Sequence, residues 1–291
     1  ITVAQPLLGI FAHPDDEILG PGATLAMYAA QGVPVELVCA TRGEVGEIAD
    51  PALATPQTLP QVREQELRCA ANTLGIADVT FLGYRDSGMA GTPENEHPQA
   101  FINAPAEDVV AQLVAIVRRK RPFALLTFEP YGGYGHPDHI AIHHHTVAAF
   151  AAAADPAYRP DLGAAWQTER LFYPLLPPDL FPEMRQRLAA RGQDVSFFDG
   201  IEERRSQGWP ADQIHVQVNV AQFVDAKWDA FLCHRTQFGE NSIFRRLPEN
   251  EMKELLQTEC FALAQPEPAS ALALADLFAP LPRDFRAKTG Q

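Results

Sequence analysis

The segment Ala12-His13-Pro14-Asp15-Asp16-Glu17 crowds one imidazole and three carboxylates into the five positions from His13 to Glu17. Like charges a few Å apart raise each other's pKa, so such a cluster repels itself unless a cation neutralises it. A second cluster, Gly135-His136-Pro137-Asp138-His139, follows about 120 residues later with the same chemistry. His13 and Asp16 lie three apart in a turn stiffened by Pro14, close enough to hold one ion, and His139 supplies a third ligand. Two histidines and a carboxylate with an open fourth position form a catalytic zinc arrangement, whereas structural zinc takes four protein ligands, mostly cysteines. The bound ion lowers the pKa of its water and makes a nucleophile for a carbonyl. Asp15 points away from its neighbour Asp16, as general base and later as proton donor to the leaving group. His136, on the opposite wall, presents a protonated imidazole to the developing oxyanion. Asp138 is expected to hold the other nitrogen of His136, fixing its tautomer and raising its pKa. Together these residues are equipped for metal-assisted amide hydrolysis.

Plainer readings compete with this one. Asp15, Asp16 and Glu17 would also suit a helix N-terminus, where the dipole favours carboxylates, and Glu17 is assigned that role. Two such clusters, each behind an apolar run, favour the metal. In His143-His144-His145, His143 stands four residues after His139, a helical zinc spacing, but no Glu follows His139 as the zincin pattern requires. These three are read as surface or core residues, with His143 a reserve ligand. Gly20-x-Gly22 lacks the third glycine of a dinucleotide fingerprint, Leu25 standing in its place, and carboxylates in front would repel a pyrophosphate.

The elements that must position these residues are legible in the first half. Leu7–Phe11, Val35–Thr41, Val79–Leu82 and Phe123–Phe128 are short, mostly apolar strand patterns. Helical patterns at Ala23–Gln31, Leu59–Leu74, Ala106–Arg119 and Asp138–Ala153 alternate with them, and Gly32 and Gly75 serve as stops. The expected fold is α/β: a Rossmann-like, mostly parallel sheet flanked by helices, with a C-terminal elaboration covering the site. Both clusters then fall at strand ends, where open α/β sheets bind ligands. Further on, Glu169–Tyr173 and Ile214–Val218 read as strands and Val220–His234 as a helix. The chain is expected to be a single domain over residues 1–291: a core (1–154), further strands, helices and a flap (155–260), and a draped tail (261–291). The stretch 155–212, rich in proline and charge, suits the flap.

With 46% hydrophobic and 21% charged residues the composition is that of a globular protein with a sizeable core. A formal charge of −14, with Arg118-Arg119-Lys120-Arg121 the longest basic run, argues against nucleic acid as a partner. That run suits a helix C-terminus. No apolar run approaches the roughly 20 residues of a membrane span, so no membrane partner is expected, and no secretory signal is recognised at the start. Cys39, Cys69, Cys233 and Cys260 are far apart and read as reduced thiols of a cytoplasmic protein.

The strand-AHPDDE opening together with Tyr134-Gly-His-Pro-Asp-His139 resembles the PIG-L/LmbE family of zinc-dependent N-acetylglucosamine deacetylases. Thr41-Arg-Gly-Glu44, Arg63-x-x-Glu66-Leu67, Arg85-Asp-Ser-Gly-Met-Ala-Gly-Thr92 and Lys227…His234-x-Thr236-Gln237 agree, so the resemblance spans about residues 6–240. Arg85–Thr92 and Gly132–His139 look most like the mycothiol- and bacillithiol-type branch. The resemblance implies His13, Asp16 and His139 as zinc ligands, with Fe(II) an alternative metal. It implies Asp15 as general base, and His136, backed by Asp138, as stabiliser of the tetrahedral intermediate. It further implies that Arg63 and Asp86 hold sugar hydroxyls or the attached group, and that Tyr134 is a mobile tyrosine beside the metal. His234 is left as a core histidine or one standing behind the site. The implied activity is removal of acetyl from the amine of a small-molecule N-acetylglucosaminyl conjugate. An amidase cleaving a larger thiol conjugate at the same amine, or a non-catalytic metal or sugar binder, are the alternatives. The aglycone and any homo-oligomer are not legible.

Overall fold

The computed structural model describes residues 5–205, 209–269 and 271–288. One seven-stranded sheet runs through it, built from β1 Leu7–Phe11, β2 Val35–Cys39, β3 Asp78–Phe81, β4 Ala124–Leu126, β5 Arg170–Leu175, β6 Val216–Asn219 and β7 Thr258–Gln265, in the order β3-β2-β1-β4-β5-β7-β6. The helices are α1 Asp16–Leu19, α2 Gly22–Ala30, α3 Leu59–Leu74, α4 Ala106–Lys120, α5 Gly132–Gly135, α6 Pro137–Ala154, α7 Leu180–Ala189, α8 Phe197–Arg205, α9 Val224–Cys233 and α10 Glu249–Leu255. β1 to β5 are mutually parallel, and β7 is antiparallel to both β5 and β6.

The continuous apolar character of β1 follows from burial on both faces. Leu7 and Phe11 join Ala23, Leu25 and Tyr28 of α2, while Leu8 and Ile10 join Val109, Leu113 and Val117 of α4 and Ile142 and Ala149 of α6. Successive residues of a strand point to opposite faces, so a sheet covered on both sides needs apolar residues throughout. β1 and β4 lie side by side, yet the chain leaves β1 toward β2 and leaves β4 toward β5, in opposite directions. The crevice between such divergent connections is where ligands settle in open α/β sheets. Both acidic clusters stand at its mouth.

The basic run has a structural use. Arg118 is buried and donates to the carbonyls of Ala152, Ala153 and Asp155, capping the C-terminus of α6.

Three expectations are corrected. The tail from Phe261 is not draped over the surface. Phe261–Gln265 lies within β7, an interior strand between β5 and β6, and Leu277 beyond it is fully buried, its N–H donating to the Tyr28 hydroxyl at 3.0 Å. Residues 270 and 289–291 of that tail lie outside the described residues. The cysteines are not all reduced: Cys69 of α3 and Cys233 of α9 are joined in a disulfide, because these helices pack together and bring their Cα atoms to 5.8 Å, while Cys39 and Cys260 are free and buried. The helix expected from Val220 begins at Val224, after a short 3-10 turn over Ala221–Phe223. Within 155–212, α7 and α8 bury Leu180, Met184, Leu188 and Phe198 against Ile18, Trp228 and Met252, and α8 abuts α5. Residues 206–208 of that stretch lie outside the described residues. No described helix is long and apolar enough to cross a membrane.

Candidate metal centre

β1 runs into Ala12 and His13, and α1 starts at Asp16, so the first cluster is a tight turn between strand and helix. Asp16 closes that turn: its Oδ2 accepts from the N–H groups of Ala12 (3.0 Å) and His13 (2.7 Å). Its Oδ1 is left facing His139 Nε2 at 3.3 Å. The second cluster is brought in by α5 and α6. His136 is the N-cap of α6, its Nδ1 accepting from the Asp138 N–H at 3.1 Å, and His139 follows in the first turn. Gly132 makes room for His139: its φ is +71°, and a Cβ there would fall 2.7 Å from the His139 Cβ.

The side chains of His13, Asp16 and His139 converge. His13 Nδ1 lies 3.1 Å from His139 Nε2 and 3.8 Å from Asp16 Oδ2, and His139 Nε2 lies 3.3 Å from Asp16 Oδ1. Ligands bound at about 2.1 Å around a tetrahedral ion are separated by about 3.4 Å, close to the 3.1 Å between the two imidazole nitrogens and the 3.3 Å from His139 Nε2 to Asp16 Oδ1. The tautomers fit as well. His139 Nδ1 faces the Gly132 carbonyl at 3.0 Å and donates to it, while His13 Nε2 donates to Asp138 Oδ2 at 3.1 Å. Each neutral ring then turns a lone pair toward the other across 3.1 Å, a repulsive arrangement that a shared cation relieves. Burial opposes charge on His13, but Asp86, Asp138 and Asp16 outweigh it and raise its pKa well above the usual histidine range. Burial likewise works against ionised Asp16, but His139 and His13 hold its carboxyl well below the usual range. His136 is close by, one of its nitrogens within 4.8 Å of a nitrogen on each of His13 and His139.

Asp15 stands beside this trio in the left-handed region at φ 104°, one of three described non-glycine residues with positive φ. Such backbone costs of order 1–3 kcal/mol and persists where surroundings enforce it. Its carboxylate is 3.2 Å from Arg63 Nη2. Burial pushes the Asp15 carboxyl up to about 6, against the lowering charge of Arg63 and with the raising charge of Asp16.

Several residues sit differently from their expected places. Asp138 does not hold the ring of His136. Its carboxylate accepts from His13 Nε2 and from the Ser87 N–H (2.9 Å), and only its backbone meets His136. The two residues are two apart at a helix start, a spacing at which side chains do not face each other. Nor is the pKa of His136 raised: burial and the His13 and His139 imidazoles push it down to about 4, overcoming Asp138. Because Nδ1 accepts, the neutral ring carries its proton on Nε2. Arg63 is buried. Its guanidinium reaches the Pro14 carbonyl (2.6 Å), Asp15 and the Gly43 carbonyl (3.2 Å), bracing the metal loop from beneath. Gly43 has to be glycine here, since its φ is +68° and a Cβ would meet Arg63 Nη1 at 1.9 Å. Asp86 is buried with Oδ1 on the Gly88 N–H (2.8 Å) and 3.5 Å from His13 Nε2. Tyr134 is 44% exposed at the rim, its ring centroid 5.0 Å from that of His139. The reserve ligand His143 turns instead to the Phe128 carbonyl at 2.8 Å.

Glu17 stands in the first turn of α1, as expected, but it is 1% exposed and bonds the Asp15 N–H (2.9 Å) and His234 Nε2 (2.6 Å). Glu44 and Ser87, assigned no role from sequence, bond the Asp86 N–H and, through the Ser87 N–H, Asp138. Their only signal was membership of the Thr41–Glu44 and Arg85–Thr92 stretches.

Residues 8–150 match the family model described as PIG-L: GlcNAc-PI de-N-acetylase. The chain is 40% identical to the 1D-myo-inositol 2-acetamido-2-deoxy-alpha-D-glucopyranoside deacetylase of Geodermatophilus obscurus, over 97% of this chain and all of that one. It is 38% identical to the protein of the same name from Streptomyces scabiei, over 96% of this chain and 91% of that one. In fold it is similar to N,N'-diacetylchitobiose deacetylase from Pyrococcus horikoshii, with a TM-score of 0.63, 19% identity, and coverage of 89% of this chain and 84% of that one. A donor set suited to one divalent ion, in the crevice of this sheet and on this sequence, leads to one assignment: the chain belongs to the PIG-L family.

Proposed function

We propose that the protein is a zinc-dependent deacetylase that frees the amine of an N-acetylglucosaminyl conjugate, with an inositol aglycone as in the names of its relatives. The observation that supports this reading is the convergence of His13, Asp16 and His139 beside a further carboxylate, Asp15, that Arg63 braces. His13, Asp16 and His139 would hold the ion, which supplies Lewis acidity toward water and an amide carbonyl when bound. Asp15 takes the proton from the attacking water and passes it to the departing amine. A carboxyl raised to about 6 suits both tasks near neutral pH. His136 Nε2–H donates to the developing oxyanion as a neutral imidazole. Asp138 orients His13, Arg63 steadies Asp15, and Tyr134 and Asp86 border the space left for the sugar. Residues 1–291 act as one domain in this reading, since β6 and β7 from the second half complete the sheet.

Acetate release across a panel of N-acetylglucosaminides tests it, with inositol, malate and chitobiose-type aglycones and either zinc or anaerobic Fe(II). The reading expects the inositol glycoside to turn over with the highest kcat/KM. Release of an N-acylated cysteine from a thiol conjugate, with no acetate from any glycoside, would make the protein an amidase. One zinc per chain without turnover would make it a binder.

A further inference from the structure

We propose that Glu17 and His234 are positioning residues, a buried pair that holds the backbone of Asp15 in its left-handed conformation; this rests on the general-base reading of Asp15. Consecutive residues at a regular helix start point about 100° apart, yet Asp15 and Asp16 must serve the same cavity. The positive φ of Asp15 resolves this, and something has to maintain it. The Asp15 N–H donates to Glu17 Oε2 at 2.9 Å, and the other carboxylate oxygen of Glu17 is 2.6 Å from His234 Nε2. Both side chains are sealed from solvent, Glu17 at 1% and His234 at 0% exposure. A carboxylate serving only a helix dipole has no need of burial, nor of a partner 217 residues away in sequence. The other nitrogen of His234 has no hydrogen-bond partner among the described residues, so Glu17 is the polar contact of that ring.

His234 is itself anchored. Its carbonyl accepts from the Phe238 N–H at 2.9 Å, and Thr236 beside it bonds Glu66 of α3 through its N–H (2.8 Å) and hydroxyl (2.5 Å). The same helix carries Arg63 to the Asp15 carboxylate. Asp15 is thus gripped by its backbone through Glu17 and by its side chain through Arg63, and both grips are anchored in the packed pair α3 and α9.

The test uses full-length zinc-loaded Glu17→Ala, Glu17→Gln, His234→Ala and the double alanine variant. Glu17→Ala should keep one zinc per chain and a KM near that of the parent, with kcat down about 10–100-fold from misplacement of the base. Glu17→Gln should recover most of that kcat, because its amide can accept from the Asp15 N–H and donate to the other tautomer of His234. The double variant should be no worse than Glu17→Ala, since the two residues act as one unit. A crystal structure of zinc-loaded Glu17→Ala should show Asp15 leaving the left-handed region. If Glu17→Ala does not fold, His234→Ala carries the same kinetic and structural comparison. The proposal is overturned if Asp15 keeps its φ and kcat stays within about twofold of the parent, or if Glu17→Gln is as slow as Glu17→Ala. A parent inactive on every glycoside refutes the proposed activity instead, and the Asp15 φ still decides the positioning claim.

Discussion

Asp138→Asn separates two accounts of the second cluster. In the structure a single oxygen, Asp138 Oδ2, accepts from both His13 Nε2 and the Ser87 N–H, at 3.1 and 2.9 Å, while Oδ1 has no hydrogen-bond partner among the described residues. An asparagine carbonyl can accept both bonds in place, so the substitution removes charge and leaves geometry. His136 is untouched, because it meets only the backbone N–H of residue 138. Losing the carboxylate behind a ligating histidine weakens metal binding by about 10–100-fold, equivalent to about 1.4–2.8 kcal/mol. Competition with a fluorescent zinc chelator gives the metal Kd, and kcat at saturating zinc is read alongside. We expect the Kd to rise by that factor with kcat within a few-fold of the parent. An unchanged Kd with a large fall in kcat would mean that Asp138 serves His136 after all.

Other expectations follow from particular contacts. Gly132→Ala, which places a Cβ 2.7 Å from the His139 Cβ at a positive φ, should displace His139 and lower zinc content measured by elemental analysis. The Cys69–Cys233 bond closes a loop of 164 residues, worth about 5 kcal/mol in the chain-entropy limit and about 2–4 in typical cases. Reduction should therefore lower the denaturant midpoint while zinc content stays constant. Burial opposes charge on His234, but the carboxylates of Glu17 and Asp15 raise its pKa above the ordinary 6.5. A raised folded-state value means the pair's stabilisation is complete below the unfolded value and fades as pH rises through the folded one. The Tm gap between the parent and His234→Phe should accordingly narrow from the acid to the alkaline side.

Most of the parallel half was legible because each strand there is a short apolar run followed by a helix with the right period. Helix α3 was delimited at its end by Gly75, and the expected Leu59–Leu74 is the range observed. β7 escaped because it enters antiparallel without a crossover helix and is followed by prolines, which read as a loose tail although Cys260–Ala264 is an apolar run. The disulfide escaped for a related reason: only the packing of α3 on α9 brings Cys69 to Cys233. The convergence of His13, Asp16 and His139 could be anticipated, since each stands at the end of a predicted strand or the start of the helix after it. What each remaining side chain touches could not. Asp138 reaches across the crevice to a partner 125 residues away and Arg63 reaches from α3 to one 48 residues away, whereas reading along the chain pairs Asp138 with its neighbour and says nothing of what Arg63 touches.

Turnover by the Asp15→Ala protein, set beside His13→Ala, tests the division of labour in the centre most directly. With zinc content measured on the same samples, Asp15→Ala should retain one zinc per chain and lose about 10²–10⁴-fold in kcat, while His13→Ala should lose the metal. A zinc-loaded Asp15→Ala enzyme releasing acetate at nearly the parental rate would contradict the account.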